Sequence, residues 1–243
     1  MTKDLNGKTV IVTGAGKGIG RATCLMLSGL GANVVAISRT ASDLESLKSE
    51  TGCKTHTFDI ANSAELRNVV RGVTSADGLV NCAGINILEP FLEVTEEAFD
   101  LIYAINTKAA MVAAQEFSRT LIAANRGGAI VNVSSMSSFV GFTDHTSYCA
   151  SKGAMDAMSR VMANELGPYG IRVNCINPIV TMTELAAEAW SDPVKSGPIL
   201  SRVPVGHFAE VDDIANLIVF LLSENSRMLN ATAIPVDGGF LSR

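Results

Sequence analysis

The chain has 243 residues, of which 47% are hydrophobic and 18% are charged. This length allows one large α/β domain with a sizeable core, and the net charge of −5 argues against a nucleic-acid partner. No apolar run is long enough to span a membrane and no signal-peptide core follows Met1, so we expect a cytoplasmic protein without a membrane partner.

The cysteine and histidine positions argue against a disulfide framework and against a metal site. The five cysteines are scattered, odd in number and never in a Cys-x-x-Cys pair. The three histidines do not cluster, and the sequence lacks the ligand spacing of zinc enzymes. We therefore expect no bound metal.

The first 30 residues predict a strand, a glycine-rich loop and a helix. Residues 8–13 form a β-branched run, four glycines follow between positions 14 and 20, and a helical pattern continues to Leu30. In this context a loop can bind a dinucleotide, because glycines let the backbone approach a pyrophosphate at the helix N-terminus. The predicted cofactor-binding residues of the loop are Gly14, Lys17, Gly18, Ile19 and Gly20.

The end of the second predicted strand indicates which dinucleotide binds. Residues 33–37 form this strand, and Ser38, Arg39 and Thr40 follow it. An NAD site has an acidic residue here to accept a hydrogen bond from the ribose 2′-hydroxyl, and this sequence has none. Arg39 and Lys17 instead offer charge and hydrogen-bond donors to a 2′-phosphate. The pattern favours NADP(H); the alternative is that Arg39 caps a helix or faces solvent.

The next two predicted strands end in polar or small residues. Residues 55–60 carry Asp59, and residues 79–84 carry Asn81 and Gly84. Both strand ends fit a crevice at the carboxyl edge of a parallel sheet. A long helical stretch over residues 96–120 then holds Asn106 in an apolar setting, where its amide needs a polar partner.

Residues 132–152 carry the most chemistry. The predicted strand over residues 129–133 ends in a serine cluster, and Tyr148 and Lys152 follow where a helical pattern to Leu166 begins. Their spacing of four puts both side chains on one helix face, so the ammonium can lower the phenol pKa from its usual value near ~10. Ser135 could hold a carbonyl or hydroxyl oxygen beside the phenol. The pattern predicts a proton-transfer site, although a Tyr-x-x-x-Lys pair alone is most often solvated helix surface.

The remaining segments complete an α/β pattern. A strand is predicted over residues 171–178, a last helix over 211–223 and a last strand over 231–236. Residues 184–209 hold many turn signals around Trp190, which is typical of a lid or substrate-binding loop. His145 either touches substrate or is a plain turn residue. A second apolar face on the helix over residues 151–166 suggests a subunit contact. No repeat or linker appears, so we predict one domain over residues 1–243.

Together these motifs resemble the short-chain dehydrogenase/reductase family over essentially the whole chain. The matching residues are Thr13–Gly20, Asn81–Gly84, Asn106, Ser135, Tyr148, Lys152, Asn177 and Pro178. The resemblance implies a single-domain, doubly wound Rossmann fold with a mostly parallel central sheet. Two departures, Cys82 for alanine and Ile179 for glycine, affect packing near the cofactor but remove no chemical group.

The resemblance also assigns roles to residues. Tyr148 would be the acid/base, Ser135 would polarise the substrate oxygen, Lys152 would lower the Tyr148 pKa and bind nicotinamide ribose, and Asn106 would hold a relay water. Asp59 would accept a hydrogen bond from the adenine amino group, Asn81 and Gly84 would contact the adenosine ribose, Thr181 would bind the carboxamide, and Pro178 would lie beside the cofactor. His145 and Trp190 would face the substrate.

Within the family, the chain is most similar to tetrameric NADPH-dependent reductases of ketopentoses and α-dicarbonyls. The segments that suggest this lie at residues 14–21, 38–40, 90–95, 190–193 and 208–211. The resemblance therefore implies NADPH-dependent reduction of a small carbonyl substrate by a homotetramer. The alternatives are a 3-oxoacyl-carrier-protein reductase or a polyol dehydrogenase of the same family, and a nucleotide-binding subunit without catalysis.

Overall fold

A sheet of seven strands forms the centre of the protein in a computed structural model that describes residues 5–183, 186, 190 and 192–242. The strands of the sheet are β1 (Thr9–Thr13), β2 (Asn33–Ser38), β3 (Lys54–Thr57), β4 (Ala76–Asn81), β5 (Gly128–Val133), β6 (Ile171–Pro178) and β9 (Ala233–Val236). Their order in the sheet is β3-β2-β1-β4-β5-β6-β9, and every pairing is parallel. The predicted doubly wound fold is confirmed, and the sheet is parallel throughout.

Helices cover both faces of this sheet. They are α1 (Gly18–Gly29), α2 (Ala41–Thr51), α3 (Ser63–Gly72), α4 (Glu96–Tyr103), α5 (Ala109–Ala123), α6 (Thr146–Leu166), α7 (Pro193–Leu200) and α8 (Val211–Leu222). Successive strand residues point to opposite faces, so one apolar strand supplies two cores. On β1, Val10 and Val12 pack in the core that contains Leu27 of α1, whereas Ile11 packs in the core that contains Phe117 of α5.

The strand order reverses beside β1, and this reversal opens the crevice in which ligands bind in such sheets. β1 pairs with β2 on one side and with β4 on the other. Thr13, at the end of β1, accepts hydrogen bonds through Oγ1 from the amides of Cys82 (3.1 Å) and Ala83 (3.2 Å). The threonine therefore fixes the chain after β4 against the start of the glycine loop.

The predicted helix over residues 96–120 is wrong as a continuous α-helix. α4 ends at Tyr103, a π-helical turn covers Ala104–Lys108, and α5 begins at Ala109. Such a turn inserts one extra residue per turn and is frequent at functional sites. α6 also begins earlier than predicted, at Thr146, so Tyr148 lies in its first turn.

The segment over residues 184–209 is not only loop. It contains α7, which Asp192 caps by accepting a hydrogen bond from the Val194 amide (2.9 Å), with Pro193 at the first helical positions. The two ends of the segment lie close together, because β7 (Thr181–Met182), just before it, pairs with β8 (Ala209–Glu210), at its end. Among the described residues, no helix is both long and apolar enough to cross a membrane.

Candidate active site

The glycine loop between β1 and α1 leaves no room for side chains where it meets the end of β4. Gly14 has φ +68°, and a Cβ there would lie 2.8 Å from the Ala83 backbone. Gly18 also has positive φ, and a Cβ there would lie 2.8 Å from Thr183 Cγ2. Lys17 precedes α1 and makes no side-chain capping hydrogen bond. Within the part of the chain that the structure describes, the first amides of α1 therefore have no side-chain cap, which is the setting in which helix N-termini bind phosphate groups.

Two cations and a hydroxyl lie at the β2 side of this loop. Lys17 Nζ is 3.8 Å from an Asp43 carboxylate oxygen, and a Cβ on Gly16 would lie 2.9 Å from Ser38 Oγ. Arg39 is exposed, and within the described part of the chain its guanidinium has no hydrogen bond or ion pair. A cavity of about 740 Å³ adjoins this group and is lined by Lys17, Asp43 and Thr183 among others. These residues fit the adenosine end of NADP(H), because the arginine and lysine can both bind a 2′-phosphate.

A cluster of Ser135, Tyr148 and Lys152 lies further along the carboxyl edge of the sheet. Ser135 follows β5 and accepts a hydrogen bond through Oγ from the Ser137 amide (3.1 Å). Its hydroxyl also interacts with the Tyr148 phenol as a hydrogen-bond partner that favours the phenolate. Lys152 Nζ lies 5.6 Å from the centre of the Tyr148 ring. The Lys152 ammonium and the Ser135 hydroxyl thus both lie near the Tyr148 phenol.

The pKa of Tyr148 is higher than the sequence suggested. Burial raises it above the ordinary value of 10.0, and the hydrogen bond from Ser135 only partly opposes this increase. The expectation that Lys152 lowers this pKa stays a prediction. Its ammonium lies over the face of the ring and donates a hydrogen bond to the Val133 carbonyl at 2.8 Å.

Lys152 is itself almost fully buried, with 3% of its surface exposed. Burial lowers its pKa from 10.5 to about 8, because desolvation disfavours the charged form. An ammonium with a pKa so close to neutrality is typical of a functional lysine.

Asn106 lies in the π-helical turn and joins this turn to residue 85 and to α6. Its Oδ1 accepts from the Ile85 amide (2.8 Å), and its Nδ2 donates to the Ile85 carbonyl (3.0 Å) and to Ser151 Oγ (3.0 Å). Ser151 in turn donates to the carbonyl of Tyr148 (2.8 Å). Both amide hydrogens of Asn106 are therefore in use, and its amide fixes residue 85 against the first turn of α6.

Comparisons with known proteins agree with this arrangement. A family model described as enoyl-(acyl carrier protein) reductase matches residues 14–241. L-xylulose reductase of Bos taurus is 48% identical over 98% of this chain and 98% of its own length. This chain belongs to the short-chain dehydrogenase/reductase family.

Two solved structures show how closely the family's fold is kept. A short-chain type dehydrogenase/reductase of Mycobacterium ulcerans has a TM-score of 0.95 at 28% identity, with coverage of 98% of this chain and 91% of that one. A proposed 2-deoxy-D-gluconate 3-dehydrogenase of Agrobacterium tumefaciens, solved with bound NADP, has a TM-score of 0.92 at 32% identity, with 98% of both chains covered.

Some predicted cofactor residues of this short-chain dehydrogenase/reductase lie beside the crevice. Gly84 is exposed, and a Cβ there would lie 3.4 Å from Asn106 Oδ1 and 3.6 Å from Lys152 Nζ. Thr181 begins β7 and donates its hydroxyl hydrogen to the Ile179 carbonyl (3.0 Å), which leaves its oxygen able to accept. Pro178 ends β6 and is buried. Asp59 is exposed in the turn after β3, where its Oδ1 accepts from the Ala61 amide (2.9 Å).

The Asn81 side chain does not line the crevice. It is 3% exposed and donates to Asn132 Oδ1 at 2.8 Å inside the sheet. The predicted contact of Asn81 with adenosine ribose stays a prediction, and it would use the backbone because the side chain is buried. A buried amide pair between neighbouring strands cannot be recognised from one sequence.

The two predicted substrate residues lie in different places. The His145 ring meets the Tyr148 ring edge-on, with centroids 6.2 Å apart, so His145 is directly beside the phenol. Trp190 packs edge-on against Phe208 at 5.9 Å, in the segment between β7 and β8. Contact of either residue with a substrate stays a prediction.

Sequence reasoning missed Asp43 and Asp156 near the site and assigned no role to Asn177. Asp43 pairs with Lys17, and the buried Asp156 and Asn177 are hydrogen-bonded to each other at 2.9 Å. Asp156 follows Lys152 by four positions, so helical spacing could have indicated that it shares a face with the lysine. Asn177 lies on another element, and its pairing with Asp156 depends on tertiary packing.

Proposed function

We propose that the protein is an NADPH-dependent carbonyl reductase that reduces a ketose such as L-xylulose, to xylitol, and also α-dicarbonyls. One observation carries the proposal: Ser135, Tyr148 and Lys152 meet at the end of a crevice whose other end has a glycine loop and two cations. The 48% identity to an L-xylulose reductase over nearly the full chain supports this substrate class.

The proton chemistry follows from the two hydroxyl groups. Ser135 donates a hydrogen bond to the carbonyl oxygen of the substrate and thereby stabilises the negative charge that develops there. Tyr148 then donates its phenolic proton to this oxygen. Because burial raises the Tyr148 pKa, the phenol is protonated at neutral pH, which is the form that reduction requires. NADPH, when bound, supplies the hydride.

Lys152 and Asn106 support these steps from either side of the tyrosine. The Lys152 ammonium binds the nicotinamide ribose and stabilises the phenolate left after proton transfer. Asn106 fixes the first turn of α6 through Ser151. Its proposed second role is to hold the water that returns a proton to the site. His145, beside the phenol, and Trp190, in the segment between β7 and β8, contact the polar substrate.

The preference for NADPH rests on Arg39, Lys17, Ser38 and Thr40. The exposed guanidinium of Arg39 has no protein partner within the described residues and is free to bind a 2′-phosphate. Bound NADP in the Agrobacterium tumefaciens structure supports the same cofactor class.

We also propose that the protein is a cytoplasmic homotetramer. Apolar side chains are exposed on adjacent helices: Leu101 (44%) and Tyr103 (42%) on α4 and Val161 (56%) on α6. Such a group of exposed apolar residues is typical of an interface between subunits. Light scattering coupled to size-exclusion chromatography tests this assembly, and a monomer would contradict it.

Activity measurements test the function directly. Purified protein is supplied with NADPH or NADH and with L-xylulose, diacetyl or an acetoacetyl thioester, and cofactor oxidation is followed. Turnover of L-xylulose and diacetyl with NADPH is expected. Turnover of the thioester alone would instead support the 3-oxoacyl-carrier-protein reductase, and no turnover with a wider ketose and polyol panel would overturn the proposal.

A further inference from the structure

A buried carboxylate lies one helical turn beyond Lys152. Asp156 is 5% exposed, and its Oδ2 accepts a hydrogen bond from Asn177 Nδ2 at 2.9 Å. Its Oδ1 is also buried and has no hydrogen-bond partner among the described residues. Burying a carboxylate with so few partners lowers the stability of the fold, so we expect Asp156 to have a functional role.

Asn177 connects this carboxylate to the turn that carries Ser135. The asparagine is fully buried at the carboxyl end of β6. Besides Asp156, its Nδ2 contacts Ser138 Oγ (2.9 Å) and the Ser135 carbonyl (3.2 Å). Ser138 itself donates to the same carbonyl (2.9 Å). One amide group thus joins the Asp156 carboxylate to the backbone of Ser135.

Asp156 follows Lys152 by four positions on α6, so the two side chains share one face of the helix. The other titratable groups around the Lys152 ammonium are Tyr148 on the same helix, Cys82 after β4 and Cys175 on β6. Burial raises the pKa of Cys82 to about 12 and that of Cys175 beyond its ordinary range, so both thiols are neutral at working pH. The charge of Asp156 raises the Lys152 pKa and opposes the effect of burial.

We propose that Asp156 is a positioning residue for carbonyl reduction, which holds Ser135 through Asn177 and supplies the negative charge opposite the Lys152 ammonium. This inference rests on the proposed function. Asp156 touches neither substrate nor cofactor in this account and acts only through Ser135 and Lys152.

Two variants separate the two parts of this role. Asp156→Asn keeps the size and an oxygen that can accept from Asn177, but it removes the charge. Asn177→Ser keeps the charge and removes the connection to Ser135. Glu116→Gln is the matched control, because it neutralises another buried carboxylate (1% exposed) on α5. Thermal melts confirm that each variant folds.

The expected results differ between the variants. In Asp156→Asn, the alkaline limb of kcat/KM for NADPH moves to lower pH by about half a unit or more, since an attractive charge has been lost. In Asn177→Ser the limb stays in place while KM for the carbonyl substrate rises several-fold. In Glu116→Gln neither quantity changes. If Asp156→Asn folds and its alkaline limb lies at the same pH as in the parent protein, the charge role is overturned. If KM for the carbonyl substrate is unchanged in Asn177→Ser, the positioning role is overturned.

A measurement without turnover distinguishes this inference from the proposed function. The pKa of Lys152 is followed by NMR in protein labelled with carbon-13 at lysine Cε, and Lys152→Met assigns the signal. The parent signal is expected to titrate near pH 8 and the Asp156→Asn signal below it. Equal pKa values in the two proteins would overturn the charge role even in a protein that reduces no carbonyl compound.

Discussion

The Lys152 ammonium lies 5.6 Å from the centre of the Tyr148 ring, over its face. Both side chains belong to α6, which begins at Thr146, so the first two turns of one helix determine their separation. The lysine donates its hydrogen bond to the Val133 carbonyl, and burial raises the pKa of the phenol. The phenol therefore keeps its proton, and the lysine is the group whose charge changes near neutral pH.

The first prediction is an alkaline limb in the reduction rate. The Lys152 pKa is lowered from 10.5 to about 8, so the side chain is charged below about pH 8 and neutral above it. We expect kcat/KM for NADPH to fall as the pH rises through about 8, because this quantity reports ionisations of the free enzyme. A rate that stays level to pH 10 would contradict this assignment.

Lys152 also makes the free energy of unfolding depend on pH, and this quantity rises with pH where kcat/KM is expected to fall. The unfolded chain binds more protons than the folded chain between pH 8 and 10.5, so the Lys152 contribution to the free energy of unfolding increases with pH across this window. The cost of burying the ammonium is fully present below pH 8. Urea denaturation should thus show that Lys152→Met stabilises the unliganded protein at pH 7 and does so less at pH 10.

The second prediction concerns cofactor preference. Arg39→Asp should reduce kcat/KM for NADPH by about 10- to 100-fold relative to NADH, because it removes a charge-assisted contact and adds repulsion against a 2′-phosphate. Lys17→Ala should cost less, since Asp43 already lies 3.8 Å from the lysine ammonium. Steady-state kinetics with both cofactors measure each ratio. An unchanged preference in Arg39→Asp would refute the 2′-phosphate role.

The third prediction concerns Asn106. Asn106→Ala removes three hydrogen bonds and leaves the amide and carbonyl of residue 85 without their side-chain partner. We expect a loss of about 2–3 kcal/mol in the free energy of unfolding, measured by urea denaturation. Exposed Gln115→Ala on α5 serves as the control and should change stability little. A loss below about 0.5 kcal/mol in Asn106→Ala would show that water replaces these contacts.

The fourth prediction concerns a charged cluster away from the site. Glu116 accepts from Arg67 (2.8 Å), Arg71 (3.0 Å) and Arg119 (2.7 Å). Burial alone would raise its pKa, but the three guanidinium groups hold it below the ordinary value of 4.5. Its contribution to stability is thus present above pH 4.5 and is lost as the pH falls through the folded-state pKa. Glu116→Gln should lower the melting temperature at pH 7, and the difference from the parent should shrink under acid conditions.

Local patterns in the sequence were enough to predict the order along the chain of the seven strands of the sheet. The informative features are short-range: the glycines after β1, the apolar runs of β4 to β6 and the spacing of Tyr148 and Lys152. Such features do not depend on how distant parts of the chain pack. The π-helical turn over Ala104–Lys108 could not be predicted, because the apolar period of residues 96–120 fits a continuous helix equally well. α7 was missed because Pro193, Gly197 and Pro198 are turn signals in most contexts, although proline is also favoured in a first helical turn.

The electrostatics of the site depended on long-range packing and could not be predicted from spacing alone. The cation near Tyr148 was recognised, but the degree of burial that raises the phenol pKa depends on elements far apart in sequence. Likewise, Asn81 was recognised as polar at a strand end, but its pairing with Asn132 depends on the register between β4 and β5. The Asp156–Asn177 pair joins α6 to β6 and has no local sequence signature.

The Tyr148→Phe variant tests whether the Tyr148 phenol is the group that protonates the substrate oxygen. NADPH oxidation with L-xylulose and NADPH binding by fluorescence are measured side by side in the variant and the parent. Turnover is expected to fall by about 100-fold or more, while the dissociation constant for NADPH stays within a few-fold of the parent value. Turnover close to that of the parent would show that another group protonates the substrate, and would contradict the assignment of this site.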